Sequence, residues 1–266
     1  MINYIQDSKR VVIKVGTSTL THANGKMNLR HIGNLCRTIT DLANSGKEVM
    51  LVTSAAIGVG LGKLGLSERP DETSKKQALA AIGQCELMFM YDKFFGEYNQ
   101  TIAQILITLD VIEEEKSRQN VINTMNELLS LGIIPIINEN DTVATEELEG
   151  HNIGDNDTLS AMVAKLTDAD ALVILTDTEG LYTANPQTNK DARLIPVVYE
   201  INDEIEALAG KAGSKLGTGG MATKISAARI ATAAGIPTCV IHGGDIKNLY
   251  DLFDGERVGT IFLAQK

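Results

Sequence analysis

Basic residues are scarce in this sequence, and their scarcity excludes two classes of partner. The chain carries 24 lysines and arginines against 34 aspartates and glutamates, which gives a formal net charge of −10. Nucleic acids and membrane surfaces are bound through basic faces, so we expect neither to be a partner. A few lysines at loop positions could still create a local pocket for an anionic ligand.

Cysteine, histidine and long apolar runs are also rare. The three cysteines are an odd number and form no CxxC motif, so we expect no disulfide framework and a reducing, cytoplasmic setting. The four histidines lack a metal-ligand spacing such as HxxxH and suggest no Ser–His–Asp set. No basic N-terminal region precedes an apolar run, and no stretch approaches the ~20 apolar residues of a membrane helix.

Proline is limited to five residues and no low-complexity tract divides the chain, so we expect a single domain over residues 1–266. The sequence does contain an alternation of short Val- and Ile-rich runs with longer helical patterns. The runs are apolar at consecutive positions, which is typical of strands buried on both faces of a parallel sheet. The predicted strands are 10–15, 48–53, 102–108, 132–138, 171–176, 237–242 and 259–264.

Segments between these strands have helical patterns, and the periodicity of apolar residues predicts helices there. They are 28–46, 73–98, 117–132, 156–169 and 221–235. The segment 73–98 could be one long helix or a broken one, and Ser117 is predicted to cap the helix that it begins. The segment 178–215 is less regular and is predicted to contain a hairpin or loop. The alternation indicates an α/β fold, a three-layer αβα sandwich with a mainly parallel central sheet.

The loops that follow the strands are the first place to look for a site, because open α/β sheets bind ligands beyond the carboxyl ends of their strands. Lys14 interrupts the first apolar run and is followed by Gly16. A buried lysine is costly unless an anion pairs with it. We interpret Lys14 as a phosphate ligand, with Gly16 allowing the backbone to approach. The alternative is a lysine on an edge strand that extends to water.

Three glycines after the second strand, Gly60, Gly62 and Gly65, match the GxGxxG dinucleotide fingerprint. That fingerprint should follow the first strand directly and lead to an acid about 20 residues further on. Neither condition holds, so a chance match or a flexible helix explains the glycines better. Ser54 and Ala55 are predicted to open a helix here whose free N–H groups face a ligand.

The connection 138–161 is dense in Asn and Asp but lacks the EF-hand spacing. It is either a polar connection rich in turns or a clamp for an amino-acid ligand, with amide and carboxylate acceptors for an ammonium group. Asn156 or Asp157 is predicted to cap the helix that follows. Thr176 and Asp177 lie at the mouth of the fifth strand, and the turn-forming run after them could fold over a purine and a ribose.

The segment GTGGMATK, residues 217–224, leads into the last predicted helix. It is not a P-loop, because no Gly-Lys pair in the chain is followed by Ser or Thr. Its glycines would let backbone amides crowd around polyphosphate oxygens. Lys224 would lie in the first turn of the helix, near the positive end of the helix dipole.

Six of these segments together resemble the amino acid kinase family, and within it the members that phosphorylate glutamate. They occur in the family's order and cover nearly the whole chain. They are VVIKVGTSTL (11–20), VTSAAIGVG (52–60), INENDTVA (137–144), GDNDTLSA (154–161), LTDTEGLYTANP (175–186) and GTGGMATK (217–224). The resemblance implies that ATP, with Mg²⁺, phosphorylates the γ-carboxylate of L-glutamate to glutamyl 5-phosphate, the first intermediate of proline synthesis.

The same resemblance implies a role for individual residues. Ser54, Asp141 and Asn156 match glutamate-binding positions. The nucleotide-binding positions are Lys14, Thr176, Asp177, Thr218, Gly219, Gly220, Met221, Ala222, Thr223 and Lys224. Lys14 and Lys224 match the phosphate-stabilising lysines, and Asp157 matches the acid that organises them. We expect Gly16 to bind developing oxyanions, and the protein ligands of Mg²⁺ stay unknown.

The family resemblance also suggests how the protein is regulated and assembled, but only in outline. The resemblance implies feedback inhibition by proline at a site overlapping that for glutamate. Many bacterial members carry a C-terminal PUA domain, whereas this chain resembles the short form without it, which leaves oligomer arrangement and regulation open. We expect a homo-oligomer, a dimer or tetramer. The segment 86–95 is a candidate interface, with core packing as the alternative.

Two alternative functions stay open. The chain could be another kinase of the family, acting on acetylglutamate or carbamate, although 137–144 with 154–161 favours free glutamate. It could also be a non-catalytic sensor, although a sensor need not keep both lysines and Asp157. A carboxylate nucleophile is already ionised at neutral pH and needs no general base, which agrees with the lack of a candidate catalytic histidine.

Overall fold

One sheet contains the eight strands found in a computed structural model, which describes residues 5–22, 24–143, 156–209 and 220–265. The strands are β1 Arg10–Val15, β2 Glu48–Val52, β3 Ile102–Ile107, β4 Ile134–Glu139, β5 Ala171–Thr176, β6 Val197–Val198, β7 Thr238–His242 and β8 Thr260–Phe262. Their order is β3-β4-β2-β1-β5-β7-β8-β6. Neighbouring strands are parallel except β7 and β8, which confirms the mainly parallel sheet.

The five helices predicted from apolar periodicity are confirmed in the described residues, and shorter helices occur between them. The helices are α1 Thr17–Leu20, α2 Leu29–Asn44, α3 Ala56–Leu64, α4 Thr73–Gly96, α5 Leu109–Glu113, α6 Glu115–Ser130, α7 Asn156–Leu166, α8 Asp203–Ala209, α9 Met221–Ala233 and α10 Lys247–Phe253. The predicted five are α2, α4, α6, α7 and α9. The long segment forms one unbroken helix, α4. The predicted Ser117 cap is wrong, because the Glu114 carboxylate accepts from the backbone N–H groups of Lys116 and Ser117 and starts α6 earlier.

Two apolar cores cover the two faces of the sheet. Val11, Ile13 and Val15 of β1 pack with residues of α2, α3, α4 and α10. Val12 faces the other way, into a core formed with α6, α7 and α9. Alternate residues of one strand therefore serve opposite layers, and the three-layer αβα sandwich is confirmed.

Gly60, the first glycine of the GxGxxG match, and Gly83 of α4 have a packing role that sequence reasoning missed. A Cβ on Gly60 would lie 2.1 Å from the carbonyl oxygen of Leu79, and one on Gly83 would lie 1.7 Å from that of Ala56. Helices α3 and α4 thus meet backbone to backbone. The explanation as a flexible helix is wrong, because only glycine fits this close crossing.

We expect Gly83→Ala to lower the free energy of unfolding by at least about 2 kcal/mol, since the added methyl group must push two helix backbones apart. The matched control is Gly96→Ala at the exposed end of the same helix, where a Cβ would meet no atom within 4 Å. Urea unfolding of both variants measures the effect. Equal stability of the two variants would contradict the close crossing.

The candidate interface segment 86–95 divides between the core and the surface. Leu87, Tyr91 and Phe95 are fully buried, and Met90 is nearly so, whereas the side chain of Phe89 is 61% exposed. Core packing accounts for the buried residues. Phe89 and its exposed neighbours on α4 could still contact another copy of the chain. That contact stays a prediction.

The shared sheet supports our proposal that residues 1–266 act as one domain. The segment predicted as a hairpin or loop contains an isolated antiparallel bridge between Tyr182 and Leu194. Among the described residues, none of the helices combines the length and the hydropathy that crossing a bilayer requires.

Candidate active site

Lys14 lies in the middle of the sheet, one residue before the end of β1. Its Cα is in register with Val52 of β2 on one side and Ile174 of β5 on the other. The residue is 4% exposed, so the alternative of an edge-strand lysine that reaches water is wrong. Strands β2, β4 and β3 lie on one side of β1, and β5 and β7 lie on the other. Open α/β sheets bind ligands at such a reversal of strand order.

A single carboxylate holds two lysines that are 210 residues apart in the chain. Asp157, in the first turn of α7, places Oδ1 2.6 Å from Lys14 Nζ and Oδ2 3.1 Å from Lys224 Nζ. Thr223 of α9 donates its hydroxyl to Oδ2 at 2.8 Å. The carboxylate is completely buried, and the side chains of both lysines are about 5% exposed.

The charge balance of this cluster favours an anion beside it. Burial alone would raise the pKa of Asp157, but the ammonium groups of Lys14 and Lys224 outweigh burial and lower the pKa to about 2. Asp157 is therefore a carboxylate at neutral pH. Of the side chains described in this cluster, two are ammonium groups and one is a carboxylate. This balance favours a phosphate in a site that little water reaches.

Gly16 lies against the Lys14 ammonium group. It precedes α1 in an extended conformation, and a Cβ at this position would be 3.7 Å from Lys14 Nζ. A larger side chain would occupy the space beside the ammonium group. The glycine thus lets a ligand oxygen approach both the lysine and the backbone.

A second cluster of polar side chains, here called the amide clamp, consists of Ser54, Asn138 and Asn156. Asn156 Nδ2 donates to Ser54 Oγ at 3.0 Å, to Asn138 Oδ1 at 2.9 Å and to the carbonyl oxygen of Thr53 at 2.9 Å. Asn156 Oδ1 has no hydrogen-bond partner among the described residues. The clamp therefore keeps an acceptor that suits an ammonium group.

The backbone after Ser54 takes an unusual conformation. Ala55 has a φ of 82°, in the left-handed region, and α3 begins at the next residue. A non-glycine residue held there stores of order 1 kcal/mol of strain, a feature that clusters at functional sites. The predicted helix start after β2 is confirmed. The left-handed conformation of Ala55 could not be predicted from the sequence.

Asp141 lies in a turn directly after β4. The turn closes with a hydrogen bond from the Val143 N–H to the carbonyl oxygen of Asn140, and Asp141 is half-buried. This is the carboxyl end of the sheet, the same end as the amide clamp. The role of Asp141 in ligand binding stays a prediction.

A cleft opens between the end of β5 and the start of α9. Its walls include Thr176, Asp177, Tyr182, Pro186, Gly220, Met221 and Lys224. The Thr176 hydroxyl donates to Asp177 Oδ1 at 3.1 Å. Tyr182 and Met221 offer apolar surface for a base. Lys224 lines this cleft and also pairs with Asp157, so the cleft adjoins the two buried lysines.

The remaining predicted nucleotide residues divide into two groups. Gly220 precedes α9, whose first turn contains Ala222 and Thr223. Thr218 and Gly219 lie outside the described residues. Among the described residues, no group of three or more His, Cys, Asp and Glu side chains could hold a metal ion.

Sequence reasoning included Asn138 in the polar connection 138–161 but did not single it out as part of the clamp. This residue is 1% exposed and ends an otherwise apolar run. A buried amide at the end of a strand needs hydrogen-bond partners, and that signal could have singled it out. Nothing in the sequence indicates that α4 lies behind it.

Comparison with known proteins places these features in a family. The amino acid kinase family model matches residues 9–242. A glutamate 5-kinase from Clostridium perfringens (strain 13 / Type A) is 53% identical over 98% of this chain and 98% of its own length. One from Moorella thermoacetica is 53% identical over 98% of this chain and 68% of its own length, and one from Listeria innocua is 52% identical over 98% and 95%.

A solved structure has the same fold. The crystal structure of a UMP kinase from Bacillus anthracis aligns over 97% of both chains with a TM-score of 0.66. Its sequence identity is 17%, so this likeness supports the fold alone.

Proposed function

The chain belongs to the amino acid kinase family, and we propose on that premise that it transfers the γ-phosphoryl group of ATP to the γ-carboxylate of L-glutamate. The products are ADP and glutamyl 5-phosphate, the first intermediate of proline synthesis. The glutamate 5-kinases that match nearly the whole chain support this substrate. Free glutamate is thereby preferred over acetylglutamate and carbamate.

One observation carries the proposal: two consecutive residues, Asn156 and Asp157, face different clusters. Asn156 binds Ser54 and Asn138 of the amide clamp. Asp157 binds Lys14 and Lys224. An acceptor in the clamp and a phosphate at the lysines are therefore held side by side, as direct phosphoryl transfer requires.

The residues then divide the chemistry between them. An oxygen of the ionised glutamate γ-carboxylate attacks the γ-phosphorus, and the bond from that phosphorus to the β–γ bridging oxygen breaks, leaving the electron pair on ADP. Lys14 stabilises the transferred phosphoryl group, with Gly16 and the amides near Ser54 beside its oxygens. Lys224 stabilises the leaving group, and Asp157 fixes both ammonium groups.

The nucleotide lies in the cleft at the end of β5. Thr176 and Asp177 border the ribose and base, and the start of α9, residues 220–224, faces the phosphates. Thr218 and Gly219 are assigned to the phosphates by the family resemblance alone. Bound Mg²⁺ would supply positive charge to the ATP oxygens, and no group of three or more described His, Cys, Asp or Glu side chains would hold it. The buried acid Asp157 is already engaged by two lysines, so we assign it to the lysines and not to the metal.

The test is trapping of the acyl phosphate with hydroxylamine. We expect glutamyl hydroxamate when glutamate, ATP and Mg²⁺ are all present and none when any one is omitted. ADP release measured with glutamate, N-acetylglutamate and carbamate separates the kinases of this family. Saturable glutamate binding without product would support the sensor instead.

The same assay tests regulation. We propose that proline inhibits by competing with glutamate, so added proline should raise the apparent KM for glutamate and leave kcat little changed. A homo-oligomer, dimer or tetramer, and a cytoplasmic location complete the proposal.

We expect Asp141→Ala to raise the KM for glutamate with little change in that for ATP. The half-buried Asp141 carboxylate would pair with the substrate ammonium group, and losing a charged hydrogen bond of about 1.5–3 kcal/mol corresponds to roughly a 10- to 150-fold rise. Steady-state kinetics with each substrate varied in turn measure the effect. A raised KM for ATP with an unchanged KM for glutamate would reject this role.

A further inference from the structure

Helix α4 buries a polar residue that the proposed mechanism does not use. Gln84 is 8% exposed and lies three residues before Leu87 of the apolar core. Burying a carboxamide is unfavourable unless hydrogen bonds compensate. Its one compensating contact in the described structure is to the amide clamp, where Oε1 accepts from Asn138 Nδ2 at 2.8 Å.

Two backbone groups fix the direction of the hydrogen bonds through the clamp. The carbonyl oxygen of Thr53 can only accept, so Asn156 must turn Nδ2 towards it. The N–H of Glu139 can only donate, so Asn138 must turn Oδ1 towards it. Asn138 is left with Nδ2 facing α4, and Gln84 must present Oε1 to it.

This arrangement has a cost in stability. Gln84 Nε2 has no hydrogen-bond partner among the described residues, and an unsatisfied buried donor is unfavourable. An apolar side chain at this position would avoid that cost. The acceptor Oε1 is therefore the feature that glutamine supplies here.

A second contact joins the same helix to the clamp. Seven residues after Gln84, and on the same face of α4, the Tyr91 hydroxyl lies 2.7 Å from Thr53 Oγ1. Thr53 precedes Ser54, and its carbonyl oxygen accepts from Asn156. Helix α4 thus supports the clamp at two points from behind.

We propose that Gln84 is a positioning residue for the acceptor substrate: through Asn138 it holds Asn156 in the orientation that binds glutamate. The inference rests on the proposed function, since it assigns the clamp to glutamate. Without Oε1, the Asn138 amide loses the acceptor that fixes its rotation, and Asn156 loses a fixed partner. Binding of glutamate weakens, while binding of ATP beyond Asp157 does not.

The test uses Gln84→Met, which keeps the length of the side chain but removes the acceptor. We expect the KM for glutamate to rise about tenfold, the effect of one lost hydrogen bond, with the KM for ATP within twofold. The control is Gln119→Met, the same change on the exposed face of α6, which should change neither KM.

A double-mutant cycle separates positioning from a general structural role. In an Asn156→Ala background, Gln84→Met should raise the KM for glutamate less than twofold, because its route to the substrate is already removed. An equal rise in both backgrounds, or no rise in the wild-type background, overturns the inference.

A third variant, Gln84→Glu, tests the inference if Gln84→Met does not fold. Gln84→Glu keeps an acceptor oxygen, and burial favours its neutral form, so the KM for glutamate should stay within about threefold of wild type. A tenfold rise in this variant overturns the inference. These KM measurements require that the wild-type protein forms glutamyl hydroxamate. Absence of that product contradicts the proposed function. Unchanged KM values in an active enzyme contradict only the role of Gln84.

Discussion

Replacing Lys224 by alanine is expected to lower kcat by about 10²–10³, the loss typical of removing one group that stabilises transition-state charge. Lys224 is 4% exposed, and its ammonium group is held 3.1 Å from Asp157 at the mouth of the nucleotide cleft. Because the negative charge on the β–γ bridging oxygen grows during transfer, the lysine contributes more to the transition state than to ATP binding. The KM for ATP should therefore change less than kcat.

Steady-state kinetics of Lys224→Ala at saturating substrates measure this loss. The control is Lys165→Ala, which makes the same substitution at an exposed position of α7 and should keep kcat within twofold. Turnover of Lys224→Ala close to that of wild type would remove the proposed role of this lysine.

Replacing Asp157 by asparagine is expected to impair both activity and folding. The carboxylate is completely buried between Lys14 and Lys224, so its loss leaves two ammonium groups in the interior without their anion. Breaking a buried ion pair from one side costs about 3–5 kcal/mol of unfolding free energy. Because both lysines also lose the group that fixes them, kcat should fall at least as far as in Lys224→Ala.

The effect on stability has a definite pH dependence. The pKa of Asp157 is depressed to about 2 in the folded protein, whereas it is about 3.9 in an unfolded chain. A depressed pKa gives stability that is complete above the unfolded value and is lost as pH falls towards the folded value. The difference in unfolding free energy between wild type and Asp157→Asn should be constant from pH 5 to pH 8 and shrink below about pH 4.

Urea unfolding at pH 7, 5 and 3.5 measures that difference. The control is Asp251→Asn, which removes the carboxylate of a surface pair with Lys247 at 2.8 Å and should cost less than about 1 kcal/mol at any pH. If Asp157→Asn were no less stable than Asp251→Asn at pH 7, the two lysines would not depend on Asp157.

The sheet could be predicted from the sequence because its strands are buried on both faces. Consecutive apolar residues such as those of Arg10–Val15 and Ala171–Thr176 leave few other arrangements for such a chain. The strand Val197–Val198 could not be predicted, since two residues form no pattern. The crossing of α3 and α4 was also missed, because the close approach of Gly60 and Gly83 to distant backbone is a tertiary fact.

The site was predictable in part for a similar reason. Lys14 at the end of an apolar strand and Lys224 at the start of a helix are local signals of anion binding, and the resemblance to the family placed Asp157 with them. The amide clamp depends on contacts between β2, β4, α4 and α7, which no local pattern encodes. Gln84 is 54 residues from Asn138 in the chain and could be found only from the structure.

The central claim is that Lys14 and Lys224 act on one triphosphate, with the acceptor beside it. A crystal structure with Mg²⁺, glutamate and a non-hydrolysable ATP analogue tests it most directly. Both Nζ atoms should lie about 3 Å from oxygens of the same nucleotide, with the glutamate γ-carboxylate facing the γ-phosphate from the side of Asn156. Lysines bound to separate ligands, or glutamate bound away from the amide clamp, would contradict the account.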